Sequence, residues 1–213
     1  MIQTLIENWW LLALGGVLEA MISVMYLIMR GADGPLTFHS WNGTVVLLGK
    51  LALAAGACMI AAGAWRSAKG KCWPLVLNGL ALGALGLICF GATRFRISFL
   101  TVSLLIILMA MCNSILELEI ARTLRRQHHI ADGWLLALAG VTSVGFALAF
   151  FALGFRWINV EPGAHSDLLW LGAYFGFSAV SMLGLALRLH SLGPSHSGQW
   201  EALPPWENPR PAH

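Results

Sequence analysis

Charge is what this sequence has least of. Asp, Glu, Lys and Arg together make up 11% of the 213 residues, against about 25% in a typical soluble domain. A water-exposed surface cannot be built from so few ionised groups, so an ordinary soluble globular protein is excluded. The formal net charge is only +3, and the 13 Lys and Arg lie mostly between the apolar runs, the distribution expected where positive charge sets membrane orientation. Nucleic acid is therefore not an expected partner. Cysteine is almost as sparse. Cys58, Cys72, Cys89 and Cys112 form no Cys-x-x-Cys pair, and three of them lie in apolar runs, so neither a disulfide framework nor a zinc site is expected. Phosphate-binding Walker loops, Gly-x-Ser-x-Gly elbows and His-Glu-x-x-His pairs do not occur either. The sequence thus predicts no catalytic residues, no cofactor and no metal. His128 and His129 are adjacent, hence on different faces of a helix, and lack a partner three or four residues away.

What is abundant is hydrophobicity. Apolar residues make up 58% of the chain and the mean hydropathy is +0.72. They gather in six runs, Trp9–Met29, Gly43–Trp65, Trp73–Ala92, Ile97–Leu118, Gly133–Phe155 and Asp167–Leu189. Each has roughly the 20 residues that cross ~30 Å of hydrocarbon as a helix. Helix is required there, because irregular backbone facing lipid leaves peptide groups unpaired. The expected fold is an all-α integral membrane protein with a six-helix domain over residues 1–190. The first run is read as a retained span, since no Lys or Arg precedes it and no small-x-small cleavage site follows. Residues 191–213 hold five of the eight Pro with Gly and Ser, and predict a disordered tail. Trp200 and Trp206 in that tail are stray aromatics, or anchors that dock on the membrane surface or on a partner.

Lys and Arg set the orientation. Arg66, Lys69, Lys71, Arg122, Arg125, Arg126, Arg188 and Arg210 fall on one side, and Arg30, Arg94, Arg96 and Arg156 on the other. The positive-inside rule then places both termini in the cytoplasm. The loops 31–42 and 156–166 would lie outside, and with them His39 and His165, which would gain charge in an acidified periplasm.

The odd runs share a pattern. Trp10-Leu-Leu-Ala-Leu-Gly-Gly16, Trp73-Pro-Leu-Val-Leu-Asn-Gly79 and Trp134-Leu-Leu-Ala-Leu-Ala-Gly140 each place a Gly six residues after a Trp. The even runs end on Arg66, Arg122 and Arg188. The unit is a helical hairpin of about 60 residues repeated three times, at about 9–66, 73–122 and 133–188. These Trp-to-Gly starts, the Trp73-Pro74 opening and the Gly/Ala-rich even runs ending in Arg resemble the HdeD-type acid-resistance membrane protein family, over roughly Trp9–Leu189. The resemblance implies a small bacterial inner-membrane stress protein built from repeated hairpins, linked to acid tolerance and without catalytic residues to carry over. The Pro-rich tail departs from that pattern.

Ionisable residues inside a bilayer are the first candidates for function. Glu19 lies ten residues into the first run, and Lys50 seven residues into the second. Their depths differ by only ~5 Å at 1.5 Å per residue, so an ion pair across the first hairpin is expected. It would be either a structural pair that fixes register or a proton-responsive site. The repeat aligns Glu19 with Leu82 and Ser143, and Lys50 with Ile106 and Gly172. Asn78 and Asn113 share a depth in the middle hairpin and predict an interhelical amide bond. Glu117 and Glu119, followed by three Arg, read as a solvated cluster where the fourth helix leaves the membrane. Gly79-xxx-Gly83, Gly172-xxx-Gly176 and the series Gly49, Gly56, Gly63 allow close helix approach, within the chain or in a homo-oligomer. The leading function is non-enzymatic acid tolerance. The alternative is a small transporter or channel for protons, ions or a small solute, lined by Glu19, Lys50, Asn78 and Asn113.

Overall fold

A computed structural model describes residues 8–31, 38–64, 72–92, 99–126, 130–155 and 164–197. All of the regular structure in them is helical: α1 Trp9–Gly31, α2 Phe38–Ala64, α3 Trp73–Ala92, α4 Phe99–Arg126, α5 Ile130–Gly154 and α6 Ala164–Ser197. All six are long and apolar enough to cross a membrane, so the chain is a multi-pass membrane protein. The expected runs and the helices agree in number and order, and α3 agrees residue for residue. The differences lie at the ends. The span in α4 extends to Thr123, five residues beyond the expected Leu118. Helix α6 continues to Ser197, seven residues into the stretch assigned to the tail. Trp200, Trp206, His128 and His129 lie outside the described residues, as do residues 32–37 and 156–163 of the two expected outer loops.

The helices form a ring in which neighbours pack unequally. The closest pairs are α2 with α3, α4 with α5, and α6 with α1. The hairpins proposed from the repeat, α1–α2, α3–α4 and α5–α6, are the looser contacts. Glycine explains the closeness. A Cβ added to Gly56 would lie 2.6 Å from the Gly79 carbonyl oxygen, and one on Gly86 2.8 Å from that of Gly49. Only hydrogen side chains allow these two backbones to touch. Gly140 and Gly154 of α5 instead make room for side chains of α4, with Leu118 at 2.9 Å and Ser103 at 3.0 Å from where a Cβ would stand. On α6, Gly172 and Gly176 meet Ser23 and Leu27 of α1, and Gly16 of α1 meets Ala179 and Leu183 of α6. Ser23 Oγ donates to the Gly172 carbonyl at 2.7 Å across that seam.

The α5–α6 gap is filled differently. Phe146 and Phe150 of α5 set their rings edge-on to Tyr174 of α6, with centroids 5.7 and 6.0 Å apart. Aromatic side chains span a distance that backbone contact does not. At the end of the bundle where the odd helices begin, Trp10, Trp73 and Trp134 are all exposed, as befits indoles at a headgroup interface. Trp9 packs on His190 at 4.4 Å between ring centroids, which brings the last turns of α6 to this same end.

Candidate functional site: a buried polar layer

The core is not uniformly apolar. Between the Trp9 end and the middle of the bundle, Glu19, Asn78, Asn113, Ser114, Glu117, Ser143 and Ser178 are all buried. They come from α1, α3, α4, α5 and α6, so one layer draws on nearly every helix. Its connections are specific. Asn78 Nδ2 donates to Asn113 Oδ1 at 2.7 Å and approaches Met59 Sδ of α2 at 3.5 Å. Asn113 Nδ2 in turn donates to Ser178 Oγ at 3.0 Å. The two amides that the sequence places at one depth therefore meet, and their chain runs on to α6.

Glu117 is the centre of a second set. Ser143 Oγ donates to its Oε2 at 3.0 Å, and Ser181 Oγ donates to Oε1. The expectation of a solvated Glu117 is corrected: it is 4% exposed. The span of α4 runs six residues beyond it, to Thr123, and two hydroxyls supply what water would have supplied. Glu119, two residues on, is exposed as expected, and its carbonyl accepts from Thr123 Oγ1 at 2.9 Å.

Glu19 is 0% exposed and neither carboxyl oxygen has a hydrogen-bond partner. The Ser178 hydroxyl lies close enough to interact with the carboxyl, though outside ordinary hydrogen-bond geometry. Tyr174, also fully buried and with an unpartnered hydroxyl, stands within electrostatic reach of both Glu19 and Glu117. The expected ion pair with Lys50 is corrected. Lys50 is exposed on the outer surface of α2, while Glu19 faces inward. Similar depth is not enough, because pairing also needs the two helix faces to point at one another. The rotation of α2 is fixed by Gly49, next to Lys50, which packs against Gly86 of α3. That contact turns Lys50 away. The repeat's equivalents of Glu19, Leu82 and Ser143, are buried as Glu19 is, whereas Lys50 is exposed and its equivalents Ile106 and Gly172 are buried.

Sequence reasoning did not anticipate Ser178, Ser181 or Tyr174 as members of the layer. Ser178 and Ser181 are three residues apart, a spacing that puts both on one helix face. With Tyr174 four residues before Ser178, that polar stripe was the available signal. Beyond the layer, toward the other end, the core is closed by Ile22, Tyr26, Leu82, Leu85, Ile106 and Phe175. Tyr26 stacks on Phe175 there, with centroids 5.8 Å apart. A separate apolar groove opens on the lipid side between α1 and α6, lined by Val17, Ala20, Met21, Val24, Met25 and Leu183.

The chemistry available in the layer is reversible proton binding: two carboxyls, two amides and five hydroxyls within a membrane. Among the described residues no three His, Cys, Asp or Glu side chains gather as a metal site would require. No family model, no curated protein and no solved structure matches the chain.

Proposed function

We propose that this chain is a bacterial inner-membrane protein of acid-stress tolerance that works without enzymatic chemistry, through a proton-responsive polar layer. The observation that carries this reading is the Glu19 carboxyl, fully buried at mid-span with both oxygens unpartnered. An isolated carboxylate loses several kcal/mol when moved from water into such surroundings. Losing or gaining the Glu19 proton is therefore coupled to what the surrounding helices do. The neighbours are suited to respond, since the bonds among Asn78, Asn113, Ser178, Glu117 and Ser181 join one helix pair to another. The acid-tolerance role itself is what the resemblance of the Trp-to-Gly hairpins implies.

The test is Glu19→Gln, which keeps size and removes the ionisable proton. In a strain whose only copy carries the change, we expect normal membrane levels and lost survival of an acid challenge. Survival equal to that of the unaltered protein would refute the role of Glu19. A second reading, movement of protons or a small solute through the bundle, is favoured by the succession of polar groups from Glu117 through Asn113 and Ser178 to Glu19. Proteoliposomes loaded with a pH dye separate the two readings. A proton leak that Glu19→Gln removes supports conduction, and none is expected if the layer only senses.

Both termini are proposed to be cytoplasmic, on the eight-to-four distribution of Lys and Arg described above. A Cys introduced at Ser195 in intact cells should be protected from an impermeant thiol reagent, and labelling there would reverse the orientation.

A further inference from the structure

The fold leaves Lys50 with an unanswered charge. It lies seven residues inside the α2 span that begins at Gly43, a depth of ~10 Å at 1.5 Å per residue. It is exposed on the outer face, and among the described residues no carboxylate pairs with it. On insertion scales a Lys near the centre of a span costs ~2.5–3.5 kcal/mol, and such residues ordinarily face a bundle interior or find a partner.

The face around it also has fewer large side chains than those of α1 and α5. The exposed positions of α2 are Gly43, Leu47, Lys50, Ala54, Ala57 and Ala64, alternating by four and three residues up to Ala57, so they form one straight stripe. Helix α1, by contrast, shows Leu14, Val17, Met21, Val24 and Ile28 to the outside, and α5 shows Leu135, Leu138, Val141 and Leu148. Lipid chains cover large aliphatic side chains readily. Alanine below a lysine instead lets another helix backbone come close and present a side chain to the ammonium group.

We propose that the outer face of α2 is the docking surface for a transmembrane helix of a different protein, one that carries an Asp or Glu within its apolar span. Charge complementarity selects that occupant. A second copy of this chain is a poor one, because a twofold axis along α2 sets Lys50 against Lys50. Nor, among the described residues, is a free exposed carboxylate found at this depth: Glu19 and Glu117 are buried, Glu119 lies near the opposite end of the bundle, and Asp167, where the α6 span begins, already has a partner. The Cα–Cβ bonds of α2 tilt toward its N-terminus, so the partner's carboxylate belongs between the levels of Gly43 and Lys50.

The test uses the full chain in lipid nanodiscs, labelled at its C-terminus, and a synthetic Leu/Ala transmembrane helix carrying a single Glu or Gln about a third of the way across. Energy transfer should show the Glu helix binding about tenfold tighter than the Gln helix. Lys50→Gln should abolish that difference, and Lys50→Glu should transfer the preference to a helix with Lys at the same place. Ala57→Leu should weaken the Glu helix by pushing it away. Lys50 and Ala57 are on the surface, so these variants keep their fold. Equal binding of Glu and Gln helices overturns the proposal. It is equally overturned if Lys50→Gln alters only the binding of anionic phospholipid, which would assign the face to lipid, or if Ala57→Leu dissociates a homo-oligomer.

Discussion

Two kinds of interface hold this bundle together, and they differ in what they allow. Within α2–α3, glycines bring backbones into direct contact over several turns, and within α4–α5 and α6–α1 they let side chains such as Leu118, Ser103, Leu27 and Leu183 seat tightly against the facing helix. Between the pairs, the contact is made by side chains: Asn78 to Asn113, Asn113 to Ser178, Ser181 to Glu117, and the rings of Phe146 and Phe150 on Tyr174. Backbone seams have one good arrangement, because a carbonyl at van der Waals distance cannot move without opening the seam. Side-chain contacts have rotamers, and polar ones have alternative partners. The three pairs therefore act as stiff units, and the polar layer is the adjustable joint among them. Glu19 projects from one stiff pair toward this joint, where a change in its charge has something to move.

The comparison can be broken most forcefully at Gly56. A valine there would drive its Cβ to 2.6 Å from Gly79 O and 2.9 Å from Gly83 N, both rigid backbone atoms. Gly56→Val should cost ~3 kcal/mol or more, seen as a large fall in thermal midpoint in detergent and loss of protein from the membrane. A stability close to that of the unaltered protein would mean that α2 and α3 are not a fixed pair.

The joint should be softer. Asn113→Leu removes two hydrogen bonds at once and should cost ~1–2 kcal/mol, without loss of the six-helix fold. In a double-mutant cycle with Asn78→Leu, the two effects should depart from additivity by ~0.5 kcal/mol or more, as contacting residues do. Strict additivity would remove the Asn78–Asn113 bond from the account. The smallest effect belongs to Gly83, where an added Cβ meets nothing within 4 Å. Gly83→Ala should be neutral, or stabilise by up to ~1 kcal/mol because alanine favours helix. Marked destabilisation would show that the seam is wider than the Gly56 contacts indicate.

Much of this was legible in the residues, and the limit has a physical origin. The six spans are legible because a bilayer demands apolar helices of one length, and the demand shows in any single segment. The shared depth of Asn78 and Asn113 follows from counting residues from a helix end. The burial of Glu117 was not legible, because Glu119 and three Arg nearby read as the membrane edge, while the span in fact continues past Glu119 to Thr123. The Glu19–Lys50 pairing failed for a related reason: counting gives height, whereas rotation about the helix axis comes from the neighbour.

What one segment at a time could fix was the solvent of this protein, the number and order of its helices and the shared depth of Asn78 and Asn113. Only the tertiary structure decided which helices pair closely, that Glu19 turns inward while Lys50 turns out, and that Ser178, Ser181 and Tyr174 join the carboxyls in one layer. Those outcomes depend on where a glycine on one helix meets a backbone on another, an interaction that no single segment contains.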